Sequence, residues 1–135
     1  MENQHELLVS ASDAEVLALE LGKRRHANPA DADAADALAD LLMEARLVPH
    51  EWLPADRVAM SSRVRYEEKP GGVRRTVTLV HPLEANPAQD RISVLSPIGR
   101  ALLGRCPGAV IDVCPPSGQA LVIRVLSTEK QLLGR

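Results

Sequence analysis

The stretch Gly99-Arg-Ala-Leu-Leu-Gly104-Arg105-Cys106 has the spacing of a phosphate-binding loop: glycine, four residues, glycine. In such a loop lysine follows, to reach the phosphates, and then serine or threonine, to hold magnesium. Those positions hold Arg105 and Cys106 here, so the pattern fails where the chemistry would be done. Asp31, Asp33 and Asp36 form the one acidic cluster, and carboxylates of this kind can hold Mg²⁺ with water completing the shell. The competing reading is a helix start, where the dipole favours negative charge. No base, nucleophile or phosphate clamp accompanies the three acids. His5, His26, His50 and His81 are scattered without metal-ligand spacing and are expected at the surface or half-buried. Cys106 and Cys114 have no His or Cys beside them at ligand spacing, and a closed zinc site needs four ligands. They fit small buried hydrophobes in a reducing compartment. No nucleophile elbow is present. The residues thus assign no catalytic group, no metal site and no cofactor, and the chain is expected not to be an enzyme.

The surface must therefore be asked what it binds. The only aromatic residues are Trp52 and Tyr66, so a ring-walled pocket and a base-stacking platform for single strands are both ruled out. The core must come from Leu, Val, Ile and Ala. Residues 1–48 carry four Lys/Arg against ten Asp/Glu, a net −6, and residues 49–135 carry twelve against eight, a net +4. Such asymmetry suits two surfaces with different protein partners. The chain of 135 residues fits one compact domain, or a small domain with an appendage. It shows neither a signal-peptide pattern nor an apolar run of membrane-spanning length, so a cytoplasmic setting with no membrane partner is expected.

The elements follow from pattern. Ser12-Asp-Ala-Glu15 reads as a capping box, and a helix is expected from Asp13 to Arg25 with Ala14, Leu17 and Leu21 on one face. Asn28-Pro29 reads as cap and first-turn proline of a second helix, Ala30 to Arg46, with Ala34, Leu38, Leu41 and Ala45 in a stripe. Together they make an antiparallel hairpin over residues 1–48, preceded by a loose start or edge strand. Its tip would gather Arg24, Arg25, Asp31 and Asp33. Val48 to Pro54 holds two prolines and marks the boundary with residues 49–135, whose texture is β. Strands are expected at Arg57–Met60, Arg63–Lys69, Val73–His81, Ile92–Leu95, Ala109–Cys114 and Ala120–Ser127. Thr128 to Arg135 should trail over the surface. Between Leu95 and Gly104 the strand turns into one short helix: Ser96 caps it, Pro97 suits its first position, and Ile98, Ala101 and Leu102 make its apolar face. Gly104 can end it in the left-handed conformation. The fold class is α+β: a helical hairpin, or short coiled coil, before a mostly antiparallel sheet.

The run Ile92-Ser-Val-Leu-Ser-Pro-Ile-Gly-Arg-Ala-Leu-Leu-Gly104, with Val58 to Val64, Thr78 to Pro82 and Pro116-Ser-Gly118, resembles the bacterial GreA/GreB transcript-cleavage factors. It more closely resembles their shortened relative, the regulator of nucleoside diphosphate kinase. The likeness covers most of residues 12–128 and departs at Cys106-Pro-Gly-Ala109, where that family usually has an apolar residue, Gly and Asp. It implies an FK506-binding-protein-like (FKBP-like) β domain, without prolyl isomerase activity, since that pocket is aromatic. It implies docking on RNA polymerase at the rim of the secondary channel, with Ser96, Pro97, Ile98 and Arg100 as contact candidates. A cleavage factor needs a long coiled coil to carry acids to the catalytic metal. Arms of about 20 to 25 Å at 1.5 Å per residue are too short for that. The expected function is thus a polymerase binder that competes with Gre factors without stimulating cleavage, and without sequence-specific nucleic-acid binding. The alternative is regulation of nucleoside diphosphate kinase through protein contacts.

Overall fold

The structure, a computed structural model, describes residues 6–27, 32–113, 118 and 120–130, without the side chains of 24–27 and 130. The chain opens with strand β1 (Leu8–Ser10), which leads directly into helix α1 (Ala11–Ala27). Helix α2 (Ala32–Glu44) returns to strand β2 (Arg46–Val48), which lies parallel to β1 with Leu8 opposite Arg46 and Ser10 opposite Val48. The two strands clasp the open end of the helical pair.

The start of α1 differs from expectation. Its cap is Ser10, whose hydroxyl accepts from the Asp13 amide at 3.0 Å, so the helix begins before Ser12. Pairing with β2 already holds Ser10 extended, which is the conformation a cap requires. The Asp13 carboxylate accepts from the Met60 amide at 3.2 Å and so ties the helix to the chain entering the sheet. Helix α2 ends earlier than expected, at Glu44, because Arg46 has joined β2. The Asn28-Pro29 cap lies outside the described residues. Ala35 and Leu38 are buried on α2, and Ala14, Leu17 and Leu21 on α1.

The second sheet has five strands among the described residues, in the order β5-β4-β3-β7-β6. They are β3 (Ser62–Lys69), β4 (Val73–Val80), β5 (Arg91–Ser93), β6 (Val110–Val113) and β7 (Leu121–Lys130). All neighbours are antiparallel except β4 and β5, which run parallel. β3 and β4 form the expected hairpin around Pro70-Gly-Gly72. β7 continues through Thr128 and Glu129, which pair with Val64 and Arg63, so this segment does not trail over the surface. Arg57–Met60 is no strand. The amide of Val58 bonds Arg105 and its carbonyl takes the Gly104 amide, while the Ala59 amide bonds the Ser62 hydroxyl, so its bonds leave in different directions.

Helix α3 (Pro97–Leu102) packs near β6 and α2. One apolar cluster runs from Val9, Leu17 and Leu38 through Val58, Val64 and Leu79 to Leu102, Leu103 and Ile123. The hairpin and the sheet therefore share packing. Tyr66 belongs to this cluster, whereas Trp52 is exposed. Among the described residues no helix is long and apolar enough to cross a membrane.

Candidate functional site

The candidate site is the turn between β5 and α3, and its geometry follows from small and polar residues. Ser96 caps α3: its hydroxyl accepts from the Gly99 amide at 3.0 Å and donates to the Ser93 carbonyl at 2.7 Å. The Ser93 hydroxyl in turn accepts from the Leu95 amide at 2.9 Å. Pro97 takes the first helical position, as expected. Gly99 stands so close to the strand that a Cβ there would lie 2.1 Å from the Ser93 carbonyl oxygen. The glycine therefore serves close helix-to-strand approach, not phosphate binding. Gly104 has φ +82° and faces β1; a Cβ would lie 3.2 Å from the Leu8 carbonyl. The Leu8 amide bonds the Gly104 carbonyl at 3.2 Å.

The four expected contact residues are thus brought together on one short element. Pro97, Ile98 and Arg100 are half-buried, with Ile98 packed against the core. The Arg100 guanidinium bends back to donate to the Leu95 carbonyl. Burial lowers its pKa from the usual guanidinium range. Pro97, Arg100 and Ala101 line a cleft of about 200 Å³ with Leu41 of α2, Arg105 and Asp112. Burial also lowers the Arg105 pKa, and nearby Arg57 adds to this, with Cys106 opposing. The cleft therefore joins α3 to the returning helix of the hairpin and presents two partly desolvated cations.

The hairpin-tip residues are less complete. Asp33 is exposed in the first turn of α2. Asp31 and the side chains of Arg24 and Arg25 lie outside the described residues. Among the described residues no three His, Cys, Asp or Glu side chains gather as a metal site would need. Cys106 is a buried free thiol, His50 is exposed and His81 half-buried; Cys114 and His5 lie outside the described residues.

Sequence reasoning missed Arg57. It is 0 % exposed, and its guanidinium donates to the carbonyls of Glu6 and Gly104, the latter at 3.0 Å. It fastens the chain preceding β1 to the turn after α3. Nothing in its local pattern marks it, since both acceptors are backbone atoms about fifty residues away.

The family model for the C-terminal part of the transcription elongation factors GreA/GreB matches residues 53–130, and the chain belongs to this family. The chain is 34 % identical over 125 residues to the regulator of nucleoside diphosphate kinase of Escherichia coli (strain K12), covering 93 % of this chain and 90 % of that protein. It is 33 % identical over 81 residues to transcription elongation factor GreA of Flavobacterium johnsoniae, covering 60 % of this chain and 51 % of that protein. Among solved structures, the prokaryotic transcription elongation factor GreA/GreB of Nitrosomonas europaea superposes with a TM-score of 0.73 at 30 % identity, over 92 % of this chain and 99 % of that one. Two helices followed by a multi-stranded sheet is thus an arrangement consistent with the GreA/GreB fold.

Proposed function

We propose that this protein is a non-catalytic, cytoplasmic transcription regulator that binds RNA polymerase near the secondary channel and competes there with Gre factors without stimulating transcript cleavage. The docking surface is the β5–α3 turn, with Ser96, Pro97, Ile98 and Arg100. The observation that carries this reading is a Gre-family body joined to a short helical pair. Helices of 17 and 13 residues extend about 25 and 20 Å at 1.5 Å per residue. On this reading residues 49–135 are an FKBP-like docking domain, and residues 1–48 are a short coiled coil that occupies the channel rim. Its tip, with Arg24, Arg25, Asp31 and Asp33, stops short of the polymerase metal.

The test is binding of the full chain to purified core polymerase, with a Gre factor as competitor, followed by addition to stalled elongation complexes. The expected result is saturable binding, displaced by the Gre factor and weakened by Arg100→Ala, with no short 3′ RNA released. Release of such fragments, or no binding at all, overturns the reading. A second reading is favoured by the name of the E. coli relative: the protein regulates nucleoside diphosphate kinase, directly or indirectly. Capture of the kinase without polymerase subunits from lysate would favour it.

A further inference from the structure

The outward face of the five-stranded sheet is the charged surface to which the reading above gives no task. Strand side chains alternate, so Arg63, Arg65 and Glu67 point away from the buried Val64 and Tyr66. The register continues this across the sheet. Arg91 lies beside Thr78; Thr78 and Glu129 flank Arg63; Thr76 and Ser127 flank Arg65; Arg74 and Arg124 flank Glu67. Arg74 reaches the Glu67 carboxylate at 3.8 Å. Arg63, Arg65, Arg91 and Arg124 are exposed and bond to no carboxylate among the described residues. Against these five arginines the face sets Glu67, Glu129 and, at the β6 edge, Asp112. Arg63, Arg65 and Arg74 line a concavity of about 410 Å³ with Thr76, Ser127 and Thr128, and Glu129 is the one acid in its wall. No two of these arginines stand directly opposite each other in the register, so the face holds its positive charge without a cross-strand clash and leaves it open to a counter-charge from outside the chain.

We propose that this face binds an extended, carboxylate-rich segment of another protein. Arg63 and Arg65 would each grip a carboxylate with two parallel N–H donors, and the Thr76 and Ser127 hydroxyls would donate to the remaining oxygens. Two observations favour a protein over a nucleic acid. The face carries no aromatic ring on which a base could stack, since Tyr66 is buried on the other side of β3 and Trp52 lies outside the sheet. A long polyanion would also extend beyond the face and meet the acidic first third of the same chain. Spacing favours a strand-like partner over the helix of a second copy. Same-face residues of a strand recur about every 6.6 to 6.8 Å, the interval of Arg63 and Arg65, whereas acids three or four apart on a helix recur at about 4.5 to 6 Å. This inference does not rest on polymerase binding.

The probe is a fluorescein-labelled peptide of six Glu-Ser repeats, titrated with the full-length protein by fluorescence anisotropy at low salt. Saturable binding is expected, weakened about tenfold in Arg63→Ser/Arg65→Ser and at least several-fold by raising salt to about 200 mM. The control Lys23→Ser/Arg46→Ser removes the same charge from exposed positions elsewhere and should change affinity less than about twofold. Equal losses in the two double variants would show a mere net-charge effect and overturn the proposal. So would tighter binding of an oligo-dT of equal length that is lost in the first double variant. Self-association in sedimentation velocity, lost in that same variant, would assign the face to a second copy and overturn it likewise.

Discussion

The β5–α3 turn and the outer sheet face carry comparable numbers of polar groups and use them in opposite ways. At the turn, Ser93, Ser96 and Arg100 spend their hydrogen bonds on the chain itself, on the Leu95 and Gly99 amides and the Ser93 and Leu95 carbonyls. On the face, Arg63, Arg65, Arg91 and Arg124 engage none of the described carboxylates. A polar group bonded at home fixes shape, and one left in water is available to a partner. The turn therefore offers a partner a rigid outline with one or two cations, and the face offers charge without much shape.

Stability measurements can break this comparison. The largest effect is expected from Gly99→Ala. The added methyl would sit 2.1 Å from the Ser93 carbonyl oxygen, which is backbone and cannot rotate away. A loss of about 3 kcal/mol or more is expected in denaturant unfolding, and a near-neutral result would mean that helix and strand are not held together. The next effect separates the two faces of β3. Burial first, then the charge of Glu68, push the Tyr66 phenol up to about 12, with Arg75 opposing. Because the folded pKa lies above the ordinary value, the unfolded chain releases this proton first. The contribution is complete below pH 10 and is lost as pH rises toward 12. The wild type should lose on the order of 2 kcal/mol relative to Tyr66→Phe over that window, read from unfolding midpoints. Ser96→Ala comes third, at about 1 kcal/mol, the usual worth of a helix cap. The smallest change is expected on the outer face: Arg63→Ser/Arg65→Ser should alter stability by less than about 0.5 kcal/mol. A larger loss there would show that these arginines work for the fold after all.

The two regions also differ in how far the sequence disclosed them. Ser96-Pro97 and Gly104 announce a helix start and stop, because caps and first-turn prolines are local devices with local signatures. The strand expected at Arg63–Lys69 was equally legible, and β3 runs Ser62–Lys69. Gly99 was misleading in isolation: its phosphate-loop spacing with Gly104 is real, but both glycines answer to close backbone approach. Ser12 looked like the better cap because Glu15 follows three residues later. The choice of Ser10 was made by pairing between β1 and β2, which no local pattern reveals. The arginines of β3 stand at alternate positions in plain view. That they lie beside Arg74, Arg91 and Arg124 depends on strand order and register, which are tertiary facts.

The seam at Gly104 also bears on synthesis. Leu8 completes its bonding on a glycine about a hundred residues further along the chain, and Arg57 closes the same seam on Gly104. The β1–β2 clasp needs only the segment from Leu8 to Val48, and the hairpin can close before the sheet is made. Its docking to the rest must await Gly104, about 56 residues further on and so roughly three to eleven seconds later at elongation rates of about 5 to 20 residues per second. For that interval the faces of α1 and α2 that later meet the sheet are uncovered on the nascent chain.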